Sequence, residues 1–212
     1  MKKLNPIFVI TKLKESKLRI FTTLDFQRIF DVDYEVAKKA ISRYVKKGIL
    51  TKLRKGLYFF TETPPLDFEI ANKLYFPSYV SFDTALAFYG IIPETVYEII
   101  SSTTNKSKEF LINNLKFSYR KLKKEYFFGY SPRKIQDRVV LIAEPEKALA
   151  DLLYFVSLRK RSFEYERINL KKIKKEKLIK FVKPFKRKEI LNLIEKIYDW
   201  FWKNYSNSQN IA

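Results

Sequence analysis

Residues 33–60 read DYEVAKKAISRYVKKGILTKLRKGLYFF, and this stretch decides the fold of the first part of the chain. Asp33 is of a type that caps helices, and the run behind it has two faces. Ala37, Ala40, Ile41, Tyr44 and Val45 recur at three- and four-residue spacing and form one apolar stripe. Glu35, Lys38, Lys39, Ser42, Arg43 and Lys46 occupy the other face, with Tyr34 near its start. Gly48 stops the helix, as glycine commonly does just past a helix C-terminus. Ile49 to Leu53 then reads as a strand, Arg54-Lys55-Gly56 as a tight turn, and Leu57 to Phe60 as the returning strand. Glycine in third place of a three-residue hairpin loop supplies the left-handed conformation that closes it. Two cations are left at the tip.

Upstream, Pro6 to Lys14 carries Ile7, Ile10 and Leu13 at helical spacing and suits a first helix. Arg19-Ile20-Phe21 is a short apolar run fit for a strand. Thr22 or Thr23 offers an N-cap with Asp25 in the first turn, where the helix dipole favours an anion. Phe26, Ile29 and Phe30 make a second short helix, and Asp31-Val32-Asp33 a turn. Three helices followed by a hairpin with a basic tip is the order of a winged helix-turn-helix. A helix that is apolar behind and cationic in front can lie in a major groove, and a basic hairpin tip can meet phosphates. A charge run on a helix is commonly just a solvated face. Taken with the hairpin, the expectation is binding to double-stranded DNA through Tyr34, Lys38, Lys39, Ser42, Arg43 and Lys46, with Arg54 and Lys55 on the backbone.

Composition points the same way. Lys and Arg total 43 against 23 acids, a net charge of +20 over 212 residues. A folded protein does not need that excess, and its self-repulsion is offset by a polyanionic partner. The charge is blocked. Residues 1–60 hold 15 Lys/Arg against 5 acids, 61–156 hold 12 against 12, 157–188 hold 14 against 3, and 189–212 hold 2 against 3. With no cysteine and no histidine, zinc fingers, disulfide frameworks and Cys–His or Ser–His catalysis are excluded. No metal, cofactor or catalytic residue is expected. The apolar run Ile7 to Ile10 behind Met1-Lys2-Lys3 is too short for a signal peptide, and no segment has the ~18 apolar residues of a membrane span. The expectation is a cytoplasmic protein without a membrane partner.

Thr61-Glu62-Thr63-Pro64-Pro65 cannot continue a strand or a helix, so it marks a seam. The expected division is a winged-helix domain over 1–63 and an α+β body over 66–212, a small mixed sheet with C-terminal helices. Helices are expected from Phe68 to Tyr75, from a Ser81 cap through Tyr89 to Gly90, and from Pro145 onward. Strands are expected over Val96–Ser101, Phe110–Ile112, Phe117–Arg120, Tyr126–Phe128 and Val139–Ala143, with Asn113-Asn114 turning between two of them. Two basic helices, about 170–183 and 187–203, flank Pro184, and Ser206 to Ala212 is expected to fray.

Three stretches resemble the AbiEi family of type IV antitoxins, named for abortive phage infection. They are Ile41 to Leu50 running into Arg54 to Tyr58, Tyr79 to Pro93, and Ile142 to Leu153. They stand in the family's order across about residues 41–153, and the second and third are the more specific. The resemblance implies an N-terminal winged helix that represses its own operon at a promoter with inverted repeats. It also implies a C-terminal domain that neutralises a nucleotidyltransferase-like toxin encoded alongside. The basic segment 157–188 matches none of the family's motifs.

Ser81-Phe82-Asp83 and Glu144-Pro145-Glu146-Lys147 contain groups that can do chemistry, but both read better as helix starts: a Ser cap with Asp in the first turn, and Glu flanking Pro at N1. Two other readings stay open. One is a nuclease holding a divalent metal at Glu144 and Glu146 with Lys147 on the phosphate. The other is a repressor with a ligand-sensing body, its site near Tyr75, Phe76 and Tyr79, although aromatics there are more often core.

Overall fold

Asn5 accepts a hydrogen bond from the Phe8 amide at 2.8 Å and, with Pro6 behind it, opens α1 (Pro6–Glu15). After β1 (Ile20–Thr22) the chain turns into α2 (Thr23–Phe30) through a reciprocal cap. The Asp25 amide donates to the Thr22 hydroxyl at 3.1 Å, and the Thr22 amide donates to the Asp25 carboxylate at 2.8 Å. Asp31, at φ +50°, reverses the chain toward α3 (Tyr34–Lys46). Asp33 holds the N-cap position in extended backbone, but its carboxylate makes no capping bond. The computed structural model describes residues 4–93 and 97–209, with side chains to residue 205.

The strands β2 (Leu50–Arg54) and β3 (Leu57–Phe60) complete a three-stranded antiparallel sheet in the order β1-β3-β2. The hairpin is tighter than the sequence reading. Arg54 pairs with Leu57, so the loop is Lys55-Gly56 alone, and the register shifts between Lys52 and Arg54, leaving Leu53 as an extra residue. A bulge absorbs one residue and adds twist, which lets Gly56 close the loop at φ +78°. Val9, Leu13, Phe21, Phe26, Phe30, Ala37, Ile41, Tyr44 and Phe60 form one core beneath this sheet and the three helices.

Helix α4 (Asp67–Leu74) follows the two prolines. The chain divides into two compact units, residues 1–74 and 75–212, so the division falls after Leu74 and not at Pro64-Pro65. Within the first unit the Arg54 Nε donates to the Leu74 carbonyl at 2.9 Å and ties the end of α4 to the hairpin.

The second unit is α+β. Its strands are β4 (Ser78–Val80), β5 (Glu98–Thr103), β6 (Lys108–Ile112), β7 (Leu115–Lys121), β8 (Tyr130–Ile135) and β9 (Arg138–Ala143). They form one mixed sheet in the order β6-β7-β5-β4-β9-β8. β5–β7 and β4–β9 are parallel, and the other neighbours antiparallel. Asn113 and Asn114 turn β6 into β7 with φ +47° and +64°, the left-handed pair that a two-residue hairpin loop needs. The helices are α5 (Phe82–Phe88), α6 (Pro145–Ser157), α7 (Lys175–Val182) and α8 (Lys188–Gln209). α6 is the hub of the helical layer, packing on α5, α7 and α8 with Ala148, Leu149, Ala150, Leu152 and Leu153 buried.

Several expectations fail here for physical reasons. Tyr126 to Phe128 is not a strand. Tyr126 ends a 3-10 turn from Lys124 and buries its ring against Phe185, at 4.8 Å between centroids, while Phe127 packs on Tyr79 at 4.9 Å. The strand is β8 instead, where Pro132 interrupts the apolar alternation. β8 is an edge strand, and only there does a proline with no amide to donate sit easily. The first basic helix is short, preceded by 3-10 turns at Tyr165–Arg167 and Leu170–Lys172, and Pro184 lies in another at Lys183–Phe185. The last helix continues through Ser206, where fraying was expected. Val96, the expected start of the first strand of the body, lies outside the described residues.

Candidate nucleic-acid interface

Helix α3 displays the face that its spacing implies. Tyr34, Glu35, Lys38, Lys39, Ser42, Arg43 and Lys46 are exposed, while Ala37, Ala40, Ile41 and Tyr44 are buried in the core of the first unit. Thirteen residues at 1.5 Å each make a helix about 20 Å long, and a B-form major groove about 12 Å wide admits such a helix. Lys39, Ser42, Arg43, Lys46 and Lys47 line a shallow open hollow of about 490 Å³ along its second half. Lys47, which sequence reasoning left out, therefore belongs to this face. Near the start Lys38 lies 3.5 Å from Glu35, both well exposed. A pair of that kind is weak and opens readily to a phosphate.

The two arginines expected to meet DNA are partly engaged by their own unit. Arg43 donates from Nη2 to the Leu4 carbonyl at 3.1 Å and to the Tyr44 hydroxyl at 3.4 Å, its guanidinium lying 5.1 Å from the Tyr44 ring centroid. The Tyr44 hydroxyl itself donates to Leu4 O at 2.6 Å. Arg43 thus helps to clamp the segment before α1 onto α3, and the rest of its five-donor fork stays exposed. Arg54 spends Nε on Leu74 O and approaches its neighbour's carbonyl, Lys55 O, with Nη1 at 3.5 Å. On the hairpin tip Lys55 is exposed, and its ammonium has no internal partner among the described residues. Six of the eight expected contacts are gathered on α3, and Arg54 and Lys55 lie on the hairpin.

In the second unit, much of the basic segment 157–188 is turned to internal use. Arg161 pairs with Asp83, and Lys177 with Glu144 at 2.5 Å and Glu146 at 3.3 Å. Lys175 pairs with Glu195 at 2.6 Å. Lys172 donates to Tyr89 O at 2.8 Å and Arg187 to Ser157 O at 3.0 Å. These cations hold carboxylates and carbonyls at the ends of α5 and α6 and a carboxylate on α8. Glu146 also accepts the Lys174 amide at 3.2 Å.

One constellation escaped the sequence reading. Lys147 and Asp151, one helical turn apart on α6, are fully buried with 2.5 Å between Nζ and Oδ1. The other Asp151 oxygen accepts from the hydroxyls of Tyr79 at 2.9 Å, Ser81 at 2.8 Å and Ser102 at 3.0 Å. Lys147 also donates to Tyr126 O at 2.8 Å, and its ammonium lies 5.2 Å and 5.3 Å from the ring centroids of Phe128 and Phe185. The hydroxyl expected to cap α5, that of Ser81, goes to Asp151 instead and makes no cap. Burial and the Asp151 charge push the Tyr79 phenol well above its ordinary pKa, so it stays a donor. Closed to solvent, this network ties β4 and β5 to α6 and cannot touch a substrate. The metal-nuclease reading placed Lys147 on a phosphate beside Glu144 and Glu146, and Lys147 is fully buried with its ammonium on Asp151 and the Tyr126 carbonyl. Among the described residues no group of three or more acids could hold a metal ion, and no helix is long and apolar enough to cross a membrane. Tyr79, named for a ligand site, is core, stacked on Tyr130 at 4.4 Å. Compared with known families and with curated proteins, the chain matches no family model and no curated protein.

Proposed function

We propose that this protein is a sequence-specific binder of double-stranded DNA that regulates transcription from its own promoter. The observation that supports it is the exposed cationic and hydrogen-bonding face of α3, backed by a buried apolar stripe and followed by a hairpin with a free cation at its tip. Lys39, Ser42 and Arg43 are assigned to base edges, Tyr34, Lys38, Lys46 and Lys47 to the groove walls, and Lys55 to the backbone. The role is recognition, not catalysis. The test is titration of a labelled promoter duplex against a scrambled duplex at several salt concentrations. Several phosphate contacts give a log–log salt slope of about −4 or steeper. Ser42→Ala with Lys39→Ala lowers the ratio of promoter to scrambled affinity, whereas Lys55→Ala weakens both equally. No binding at low salt, or equal affinity for the two duplexes, refutes the reading.

The resemblance to AbiEi antitoxins, which rests on the three sequence stretches, extends the proposal to the second unit as a surface that neutralises a nucleotidyltransferase-like toxin. Co-expression of such a toxin with the full chain, and with a Ser42→Ala/Lys39→Ala variant, tests this part alone. Rescue by both supports a separate antitoxin surface, and rescue by neither removes it.

A further inference from the structure

The second unit contains a hollow of about 360 Å³ that the DNA-binding reading does not use. It is built on the polar face of the sheet. The parallel register sets Glu98 against Lys116 and Ser102 against Arg120, so these four side chains project to one side. Ser102 reaches Asp151 of α6, which identifies this as the side that α6 covers. Beyond Ser157, the last residue of α6, the chain brings Lys160 and Arg161 to the hollow. The rings of Phe82 and Phe155, edge to face at 5.3 Å, line it too.

Its charges do not cancel. Three cations, Arg120, Lys160 and Arg161, line it beside one acid, and Arg120 is also held by Glu109 at 3.3 Å. That acid, Glu98, is already met by the Ser118 hydroxyl and by Lys116 at 3.4 Å. Lys160 has no acidic partner among the described residues. Arg161 is held by Asp83. Phe82 adopts φ +55°, a conformation that bulky residues hold only under constraint and that gathers at binding sites. Small-molecule sites occupy about 300–1,000 Å³ and combine apolar walls with a few convergent polar groups.

We propose that this hollow binds a small organic phosphate of nucleoside-monophosphate size, its phosphate between Lys160, Arg161 and Arg120 and its ring against Phe155, which the buried Phe82 backs edge to face. The proposal concerns the second unit alone and stands or falls independently of DNA binding. The probes are adenosine and cytidine monophosphate, titrated calorimetrically into the full chain at constant ionic strength, with the parent nucleosides and inorganic phosphate as controls. A mononucleotide binds, and the nucleoside and inorganic phosphate each bind at least about tenfold more weakly, the weight of one charge-assisted hydrogen bond or one ring contact. Arg120→Gln with Lys160→Gln weakens the mononucleotide by about tenfold or more. Both side chains reach solvent, and an unchanged urea unfolding curve by indole fluorescence, with unchanged circular dichroism, shows that the variant's second unit is folded. Lys39→Gln with Lys46→Gln leaves the affinity unchanged. No heat with any probe at millimolar concentration overturns the proposal. So does loss of binding in the α3 variant but not in the Arg120/Lys160 variant, which would place the anion on the DNA face. Equal affinity for inorganic phosphate overturns the organic part.

Discussion

Replacing Asp151 by Asn leaves the Lys147 ammonium buried without its counter-charge while keeping an acceptor for the three hydroxyls. Both side chains are fully buried, so water cannot stand in. Removing one partner of a buried pair costs about 3–5 kcal/mol. The Tyr126 carbonyl and the rings of Phe128 and Phe185 keep partial hold of the ammonium, which sets the expectation near the lower end, about 3 kcal/mol. Against total stabilities of about 5–15 kcal/mol that is a large fraction. Adding Lys147→Met removes the stranded charge and puts a side chain of similar length in its place. The double variant is therefore more stable than Asp151→Asn alone, by about 1–3 kcal/mol. Both tryptophans, Trp200 and Trp202, lie on α8, so indole fluorescence in a urea titration reports on the second unit only. The proposed promoter binding would follow the first unit in parallel. A loss below about 1 kcal/mol for Asp151→Asn, or strictly additive costs in the double variant, would refute the ion-pair account.

Gly129→Ala should destabilise the second unit by about 2 kcal/mol or more, because a Cβ there would stand 2.6 Å from a Phe181 ring carbon and 3.1 Å from Lys147 Cγ, at φ +76°; urea unfolding followed by indole fluorescence measures it. Arg54→Ala should lower the stability of the first unit by about 1 kcal/mol through the lost bond to Leu74 O, read by thermal unfolding of the promoter-bound and free protein, whereas Lys55→Ala leaves the melting temperature unchanged. Burial pushes the Tyr198 phenol up to about 12 and Tyr79 well above its ordinary value. Raised folded-state values contribute stability that is full below the unfolded pKa near 10 and lost as pH climbs through about 12. A spectrophotometric titration should show a late-ionising subset of the 14 tyrosines that merges with the rest in urea.

Most of the first unit was legible because its determinants are local. The Thr22–Asp25 cap, the stripe from Ala37 to Tyr44 and the left-handed glycines at 48 and 56 each lie within a few residues of what they control. The exposed face of α3 followed from the same spacing. What escaped depends on distant backbone. Nothing near Arg43 or Arg54 announces that Leu4 O and Leu74 O will accept their hydrogen bonds. β8 was hidden by Pro132, and β4 is only three residues long. The buried network had one signal, a Lys and an Asp four apart inside an Ala/Leu helix, which is an expensive place for charges unless they meet. The second and third stretches that resemble the antitoxin family supply Tyr79, Ser81, Lys147 and Asp151. What joins those stretches physically is therefore a core network.

The parallel pairing of β4 with β9, through Val80 and Ile142, has a consequence for a chain made from its N-terminus. The first compact unit ends at residue 74, so its chain is complete once that residue clears the ribosome. The second cannot close its sheet until β9 follows, some sixty residues later, and Tyr79, Ser81 and Ser102 have no acceptor until Asp151 emerges. At a synthesis rate of about 5–20 residues per second this interval lasts several seconds. During it a growing chain carries a finished first unit, the proposed DNA reader, on an unfinished body, and truncation anywhere before residue 151 would leave it so.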